Sequence, residues 1–377
     1  MSDILITGGA GFIGSRLSLK LMERGHHVTV LDCLSEQIHG KNPEKDSPLY
    51  QSIKDKVHFI KGDVANRKDW EQAIGNNEII VHLAAETGTG QSMYRIEKYT
   101  ETNIGGTAKM LDNLVNQPNN IKKIIIASSR AIYGEGKYLH PEKGIVYPGS
   151  RKTEDMERGD FEIYFGDRHI LTPLPTDEES AIHPASIYGI TKHQQEQMVM
   201  TIGKAVGIAP VSVRFQNVYG EGQSLLNPYT GILSIFSTQI LTGKNINVFE
   251  DGKESRDFIH IDDAVEATVK CIEMKEADGQ IFNVGTGLST DVISVAQLLL
   301  EMYGKNREIN VSGQFRVGDI RHNFADISRI KEKLGFEPKI SFREGIERFA
   351  KWVLRQNIQD NNLMASLEEM KAKGLFK

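Results

Sequence analysis

Two cysteines, Cys33 and Cys271, are all that the 377 residues contain, and no C-x-x-C spacing joins them. This scarcity excludes a disulfide framework and a cysteine-built zinc site, and it favours a reducing compartment. Basic residues are not in excess: 45 Lys and Arg stand against 50 Asp and Glu, a formal net charge of −5. General nucleic-acid binding shows a basic surplus or stripe, so no nucleic-acid partner is expected. Long apolar runs are missing too, since none approaches the roughly 18 residues of a membrane span. The opening "MSDILITGGAGFIGS" carries Asp3 and four glycines in its first 14 residues. That is unlike a charged segment followed by an apolar one, so no secretory signal is read there. The expectation is a soluble cytoplasmic protein with no membrane partner. Its 39% hydrophobic and 25% charged residues are those of an ordinary globule, long enough for a large α/β body with an appended lobe.

What is present begins with "DILIT" (3–7), a short apolar run that ends at "GGAGFIG". A helical pattern follows and stops at Gly25, and "HHVTVLD" (26–32) reads as a second strand. Gly8, Gly11 and Gly14 keep a G-x-x-G-x-x-G spacing. Such a turn lets the backbone approach a diphosphate while the N–H groups of the next helix's first turn point at the anion. Asp32 closes the second strand, 18 residues after Gly14. A carboxylate there accepts both ribose hydroxyls and repels a 2′-phosphate, which favours NAD over NADP; Arg16 in the first helix leaves room for the second. Strands and helices then alternate: "VHFIKGDV" (57–64), "EIIVHLAA" (78–85), a helical stretch from about residue 96 to residue 115, and "IKKIIIASS" (121–129). Alternation of this kind predicts a parallel, doubly wound sheet with ligands at the strands' carboxyl ends. Asp63, Ala84, Ala85, Ser128 and Ser129 fall at such ends.

In "PASIYGITKHQ" (184–194), Tyr188 and Lys192 lie four apart behind Ser186. One helical turn puts both on one face. A surface helix with a neighbouring aromatic and lysine would read the same way, so a partner is needed elsewhere. Ser129, closing the fifth strand, supplies one. At about 4 Å and an effective dielectric near 20, a cation attracts a phenolate by about 4 kcal/mol. That is enough to carry a tyrosine from about 10 toward about 7, where it serves as a general base for a sugar hydroxyl. On this reading the lysine sets the acidity of the tyrosine.

The motifs "TGGAGFIGS", "HLAA", "NIGGT", "SSRAIYGEG", "PASIYGITK", "RFQNVYGEGQ", "DGKESRDFIHIDD", "FNVGTG" and "RVGDIRHNFADISRIKEKLGF" follow in order along nearly the whole chain. With them the sequence resembles an extended short-chain dehydrogenase/reductase of the NAD-dependent epimerase/dehydratase family. The resemblance implies an α/β protein, a Rossmann doubly wound parallel sheet with helices on both faces and a smaller C-terminal α/β substrate lobe. It implies Ser129, Tyr188 and Lys192 as catalytic residues. It implies NAD contacts at Gly8, Gly11, Phe12, Ile13, Gly14, Asp32, Asp63, Val64, Leu83, Ala84, Ala85 and Asn103, besides Tyr188 and Lys192. A nucleotide-diphosphate sugar is the implied substrate, with Ser92, Ser128, Ser129, Asn217, Arg256, Arg316 and Asp319 as its contacts. Arg256 beside Asp257, and Arg316 with Asp319, could equally form ion pairs, and Ser92 could be a solvated loop serine.

Family members that remove water across C5 and C6 carry an Asp–Glu pair after the catalytic Ser/Thr. Here Arg130 and Ala131 follow Ser129, and neither gives up a proton near neutral pH. What remains suits reversible oxidation of one alcohol, as in a 4-epimerase working through a transient 4-keto sugar. The stretches 134–180 and 224–258 are similar to the bacterial 4-epimerases of dTDP-6-deoxyhexoses such as dTDP-L-rhamnose, which implies cell-surface polysaccharide synthesis. A UDP-hexose or UDP-uronate 4-epimerase, a 4,6-dehydratase and a nonenzymatic NAD-binding scaffold stay open behind it. Residues 134–180 are an insertion, read as a lid or an interface arm against a passive surface segment; His140 and His169 in it bring no cysteines, and no metal site is expected. The expected cofactor domain is 1–211, with 255–285 returning to it, and the lobe is 212–254 and 286–377. Helices at about 96–116 and 185–206 are those that pair into a four-helix bundle in homodimers of the family.

Overall fold

Ile124, Ile125 and Ile126 are fully or almost fully buried in succession. Successive residues of a strand face opposite ways, so this segment needs apolar cover on both sides. At about 1.5–3 kcal/mol per fully buried side chain, such burial fixes where the segment sits. In the computed structural model, which describes residues 1–225, 227, 229, 231–358 and 363–377, it is the middle of a seven-stranded sheet. Positions 226, 228 and 230 of the 224–258 stretch and 359–362 of the expected lobe lie outside the described residues.

The strands are β1 (Asp3–Thr7), β2 (His27–Asp32), β3 (His58–Lys61), β4 (Ile79–His82), β5 (Lys123–Ser129), β6 (Ala209–Phe215) and β7 (Ile281–Val284). Their order is β3-β2-β1-β4-β5-β6-β7, every neighbouring pair parallel. The chain direction across the sheet reverses between β1 and β4, which opens a crevice at their carboxyl ends. Helices α1 (Phe12–Glu23) and α4 (Ile261–Glu273) cover one face, packing Leu17, Leu21 and Val265 against Ile4, Ile6 and Val213. Helices α2 (Gly106–Asn116) and α3 (Ile187–Ala205) cover the other with Met110, Leu114 and Val199, joined by Trp70.

The sequence pattern predicts one helix over about 96–116. The structure breaks it into an α turn (Ile96–Tyr99), a π turn (Thr100–Gly105) and α2. Asn103 in the π turn is fully buried, and its amide bonds the Glu86 main chain (2.8 and 3.1 Å) and Thr191 Oγ1 (2.9 Å). Gly106 follows where a Cβ would come within 3.0 Å of Val64. Wide turns of this kind cluster at functional sites.

The second half forms a lobe around Tyr219, Phe236, Val248, Phe258, Leu299 and Phe349. Its parallel pair Asn217–Tyr219 and Phe258–His260 continues directly from the end of β6. The 134–180 insertion carries structure of its own. Tyr138–His140 pairs antiparallel with Gly144–Val146 and Thr172–Pro173 over a small core of Tyr138, Val146, Ile163 and Leu171. Arg151 ties it down. Its guanidinium makes a two-pronged contact with Glu250 (2.7 and 2.8 Å), donates to the Asp319 carbonyl (2.9 Å) and approaches Glu135 at 3.3 Å. These side chains are nearly inaccessible, at 3% for Arg151 and 4% for Glu250. Removing one partner of a buried ion cluster costs more than the cluster gained. Arg151→Met is therefore expected to destabilise the protein by about 3–5 kcal/mol, read as a lower urea midpoint, and an unchanged midpoint would contradict this role.

Candidate active site

The crevice is a cavity of about 620 Å³ that runs from the glycine turn, past the ends of β4 and β5, to the lobe. At its cofactor end, Gly8 has φ +68°, and a Cβ on Gly14 would lie 2.2 Å from the Gly8 carbonyl. Only glycine lets the turn close this tightly. The N-terminus of α1 has no side-chain cap and no acidic residue in its first turn, so its N–H groups face the cavity beside Gly11, Phe12 and Ile13, which line it. That is a seat for a diphosphate.

Asp32 stands at the end of β2, with Oδ2 accepting from Ala10 N (2.9 Å) and Oδ1 from Leu34 N (2.8 Å). The two backbone bonds fix the carboxylate and leave lone pairs toward the cavity. Burial raises its pKa, opposed by those bonds and by His39, 3.9 Å away. Arg16, the residue that left room for NADP, is committed to Asp262 at 2.8 Å and does not line the cavity. Asp63, Val64, Leu83, Ala84 and Ala85 line the same end. Asn103 does not: its amide is spent on Glu86 and Thr191, so the sequence reading of a direct cofactor contact is corrected to a buried brace under the loop.

At the reacting end, Ser129, Tyr188 and Lys192 all line the cavity. Ser186 caps α3 by accepting from Gly189 N (3.1 Å), and Ser92 Oγ accepts from Tyr188 N (3.0 Å) while donating to Thr89 O (2.6 Å). Ser92 is fully buried and outside the cavity lining. Its expected contact with substrate is thus corrected: it seats the first turn of the helix that carries Tyr188. Burial raises the pKa of the Tyr188 phenol, while the Ser129 hydroxyl and the Arg130 charge pull the other way.

Lys192, expected to set the tyrosine's acidity, is engaged with another side chain. Its ammonium donates to Gln195 Oε1 at 2.8 Å, one turn further on. Gln195 Nε2 donates to Thr107 Oγ1 (2.8 Å), whose own proton goes to Asn103 O (2.7 Å). His82 Nε2 must then donate to Thr107 Oγ1 (3.0 Å), and His82 Nδ1 accepts from Thr7 (2.7 Å). This chain is buried and directional. Burial pushes His82 down to about 3, with Lys192 acting the same way, and pushes Lys192 down to about 7 against the pull of Glu196.

Toward the lobe, Ser128, Asn217, Arg256, Arg316 and Asp319 line the cavity. Arg256 is spent on the carbonyls of Ser255, Arg321 and Ile320 at 2.7–2.9 Å, rather than on the neighbouring Asp257. Arg316 pairs with Asp319 at 2.7 Å. Sequence reasoning missed three groups here. Gln195 sits at the i+3 spacing from Lys192, a signal that could have been used. Gln216 lines the wall with both amide atoms buried and unpartnered, and Glu254 has an unpartnered oxygen and a pKa raised to about 7 by burial; neither carries a mark in the sequence. No residue of 134–180 lines the cavity. Within that insertion, His140, Asp167 and His169 approach one another closely enough to suggest a metal site. His140 Nδ1 accepts from Glu142 N and Lys143 N, so Nε2 holds the proton and donates to Asp167 at 3.0 Å. His140 then has no lone pair for an ion, and Lys143 already neutralises Asp167. The cluster is a clasp.

A glycine-cradled helix N-terminus, a backbone-held carboxylate at the end of β2 and a hydroxyl–phenol–amine set at the switch point of a doubly wound sheet are the parts of a dinucleotide-dependent enzyme. The chain belongs to the NAD dependent epimerase/dehydratase family, whose model matches residues 4–153 and 163–285, and NAD is its cofactor. It is 36% identical over 356 residues, 94% of this chain and 95% of the relative, to dTDP-L-rhamnose 4-epimerase of Burkholderia thailandensis. Among solved structures it is similar to UDP-glucose 4-epimerase of Thermotoga maritima with UDP-glucose (TM-score 0.75, 30% identity, 94% of this chain and 99% of that one). It is also similar to UDP-glucuronic acid 4-epimerase of Bacillus cereus with UDP-glucuronic acid and NAD (TM-score 0.76, 25% identity, 94% and 99%). Hydrogen bonds to a charged group contribute about 1.5–3 kcal/mol each. Asp32→Ala should therefore weaken NAD binding by about tenfold or more and relax discrimination against NADP, checked by fluorescence titration with both; unchanged preference would refute the assignment.

Proposed function

We propose that this protein is an NAD-dependent nucleotide-sugar 4-epimerase, acting on a dTDP-6-deoxyhexose such as dTDP-L-rhamnose. The observation that carries the reaction type is that Ser129 and Tyr188 line the same wall of the cavity, with Arg130 and Ala131 following Ser129 where elimination of water would require carboxylates. The likeness to the Burkholderia enzyme supports the sugar. The Thermotoga and Bacillus structures support a UDP-hexose or UDP-uronate as the second reading.

Tyr188, in its phenolate form, takes the proton of the C4 hydroxyl, with Ser129 donating to the same oxygen and keeping it in line with the phenolate. Bound NAD supplies the hydride acceptor, and afterwards the donor, that side chains cannot. The 4-keto sugar turns about its diphosphate, and Tyr188 returns the proton when the opposite face is reduced. Binding must therefore rest on nucleotide and diphosphate, so that the hexose is free to rotate. Arg256, Arg316 and Asn217 are the phosphate contacts in this reading, and Asp319, released from Arg316, reaches the nucleotide ribose. Lys192 leaves Gln195 for the nicotinamide ribose when the cofactor is bound. The cofactor domain of this reading is 1–211 with 255–285 and the lobe 212–254 with 286–377, although β6 carries the central sheet on to Phe215 and Phe258 packs into the lobe core. We place the enzyme in the cytoplasm, in polysaccharide biosynthesis, as a homodimer. The segment 96–116 and α3 form its interface, consistent with the exposed Ile96, Val115 and Ile190 on them.

Incubation with dTDP-, UDP-, GDP- and CDP-sugars, followed by proton NMR, is expected to show an inverted C4 centre on dTDP-L-rhamnose. A stable 4-keto product would favour a dehydratase, and NAD binding without turnover of any sugar would favour a nonenzymatic scaffold. Tyr188→Phe should keep NAD and lose turnover by a factor of about 100 or more; near-normal activity would refute its role.

A further inference from the structure

Three arginines line the cavity among the described residues: Arg130, Arg256 and Arg316. Arg256 gives both amino groups to main-chain carbonyls, and Arg316 is paired with Asp319. Arg130 is different. It opens the turn directly after Ser129, and its one side-chain hydrogen bond among the described residues runs from Nε to Asn217 Oδ1 at 3.1 Å. That bond aims the planar fork while leaving both Nη groups uncommitted toward the cavity. Two sets of groups act on Arg130. Tyr188, Asp319 and Asp257 favour its charge, and Arg256 opposes it. Burial and Arg256 push it down to about 9, so it is a cation at neutral pH, confined where an unpaired charge is costly.

We propose that Arg130 is a catalytic residue of this site: its two free amino groups grip the phosphate nearest the sugar, and its charge faces the Tyr188 oxygen when the phenol has lost its proton. The proposal rests on the 4-epimerase reading and deepens it. A guanidinium fork matches two phosphate oxygens at once. Anchored by Asn217, it would hold the pivot about which the keto sugar turns, without touching the face that must be exchanged. Ser129 and Arg130 from the β5 end act on the Tyr188 phenol against its burial; Tyr99 from the neighbouring turn is itself acted on by Tyr188, and Lys192 on the same helix is held by Gln195. Of the two cations, Arg130 bears on the phenol.

The test uses NAD-loaded protein and the variants Arg130→Met and Arg130→Lys, with dTDP, dTMP, UDP and UMP as calorimetric probes. For whichever base binds, Arg130→Met should bind the diphosphate at least tenfold more weakly and the monophosphate unchanged, because the lost contact is to the second phosphate. Its acidic limb of kcat should also move to higher pH, and Arg130→Lys should restore much of that shift. A simply structural role would lower both affinities together, or lower kcat without moving the limb, and either result overturns the proposal. Diphosphate affinity equal to that of the unchanged protein overturns it as well. Binding is read without turnover, so a protein that epimerises no sugar would refute the function while the calorimetry still decided Arg130.

Discussion

The site depends on one constraint, that the end of β5 and the first turn of α3 meet so that Ser129 and Tyr188 share a cavity wall, and the fold is arranged to meet it. β5 must end at the switch-point crevice, and its pairing with β6, through Ser129 opposite Phe215, holds it there. α3 must start where its first turn faces that end. Ser186 caps it and Ser92 takes the Tyr188 N–H, so two side chains fix the first turn before any side chain of substrate arrives. The polar lining is bought by apolar burial elsewhere, in the isoleucines of β5 and the helices on both faces.

Charge is distributed unevenly around that wall. Two cations that line the cavity with Tyr188, Arg130 and Lys192, are treated differently. Lys192 is stored on Gln195, above a buried chain that ends at Thr7, whose hydroxyl donates inward to His82 and accepts from Ala84 N. Every proton in the chain has a fixed place, because the Thr107 hydroxyl is committed to a carbonyl and His82 is held neutral. Such a chain orients an amine and offers no route for a proton to leave. A reaction that returns the proton it borrows has no need of one.

Much of this was legible in the sequence. The glycine spacing, Asp32, and the separation of Ser129 from Tyr188 and Lys192 followed from what a diphosphate, a ribose and an alcohol require. The alternation of strands and helices placed all of them at carboxyl ends. Other features were not legible, for physical reasons. A π turn is set by what Asn103 finds to bond in three dimensions, and periodicity over 96–116 does not contain that. Ser92 looked like a loop serine because its partner, the Tyr188 backbone, is 96 residues away. The expected Tyr188–Lys192 coupling assumed that helical proximity equals contact, whereas the long lysine side chain reached one turn onward to an amide. The insertion looked like a lid from its length and position, but buried arginine–carboxylate pairs hold it against the lobe, outside the cavity.

The central claim is that C4 is oxidised and reduced in place, with the carbon-bound hydrogen passing between sugar and cofactor and only the hydroxyl proton touching Tyr188. Turnover in deuterium oxide tests this most directly, with the epimer examined by proton NMR and mass spectrometry. The account requires that the inverted product keep protium on C4 through many cycles. Deuterium appearing on that carbon would mean that it had exchanged with water, and the mechanism built here on a phenol and a hydride would be wrong.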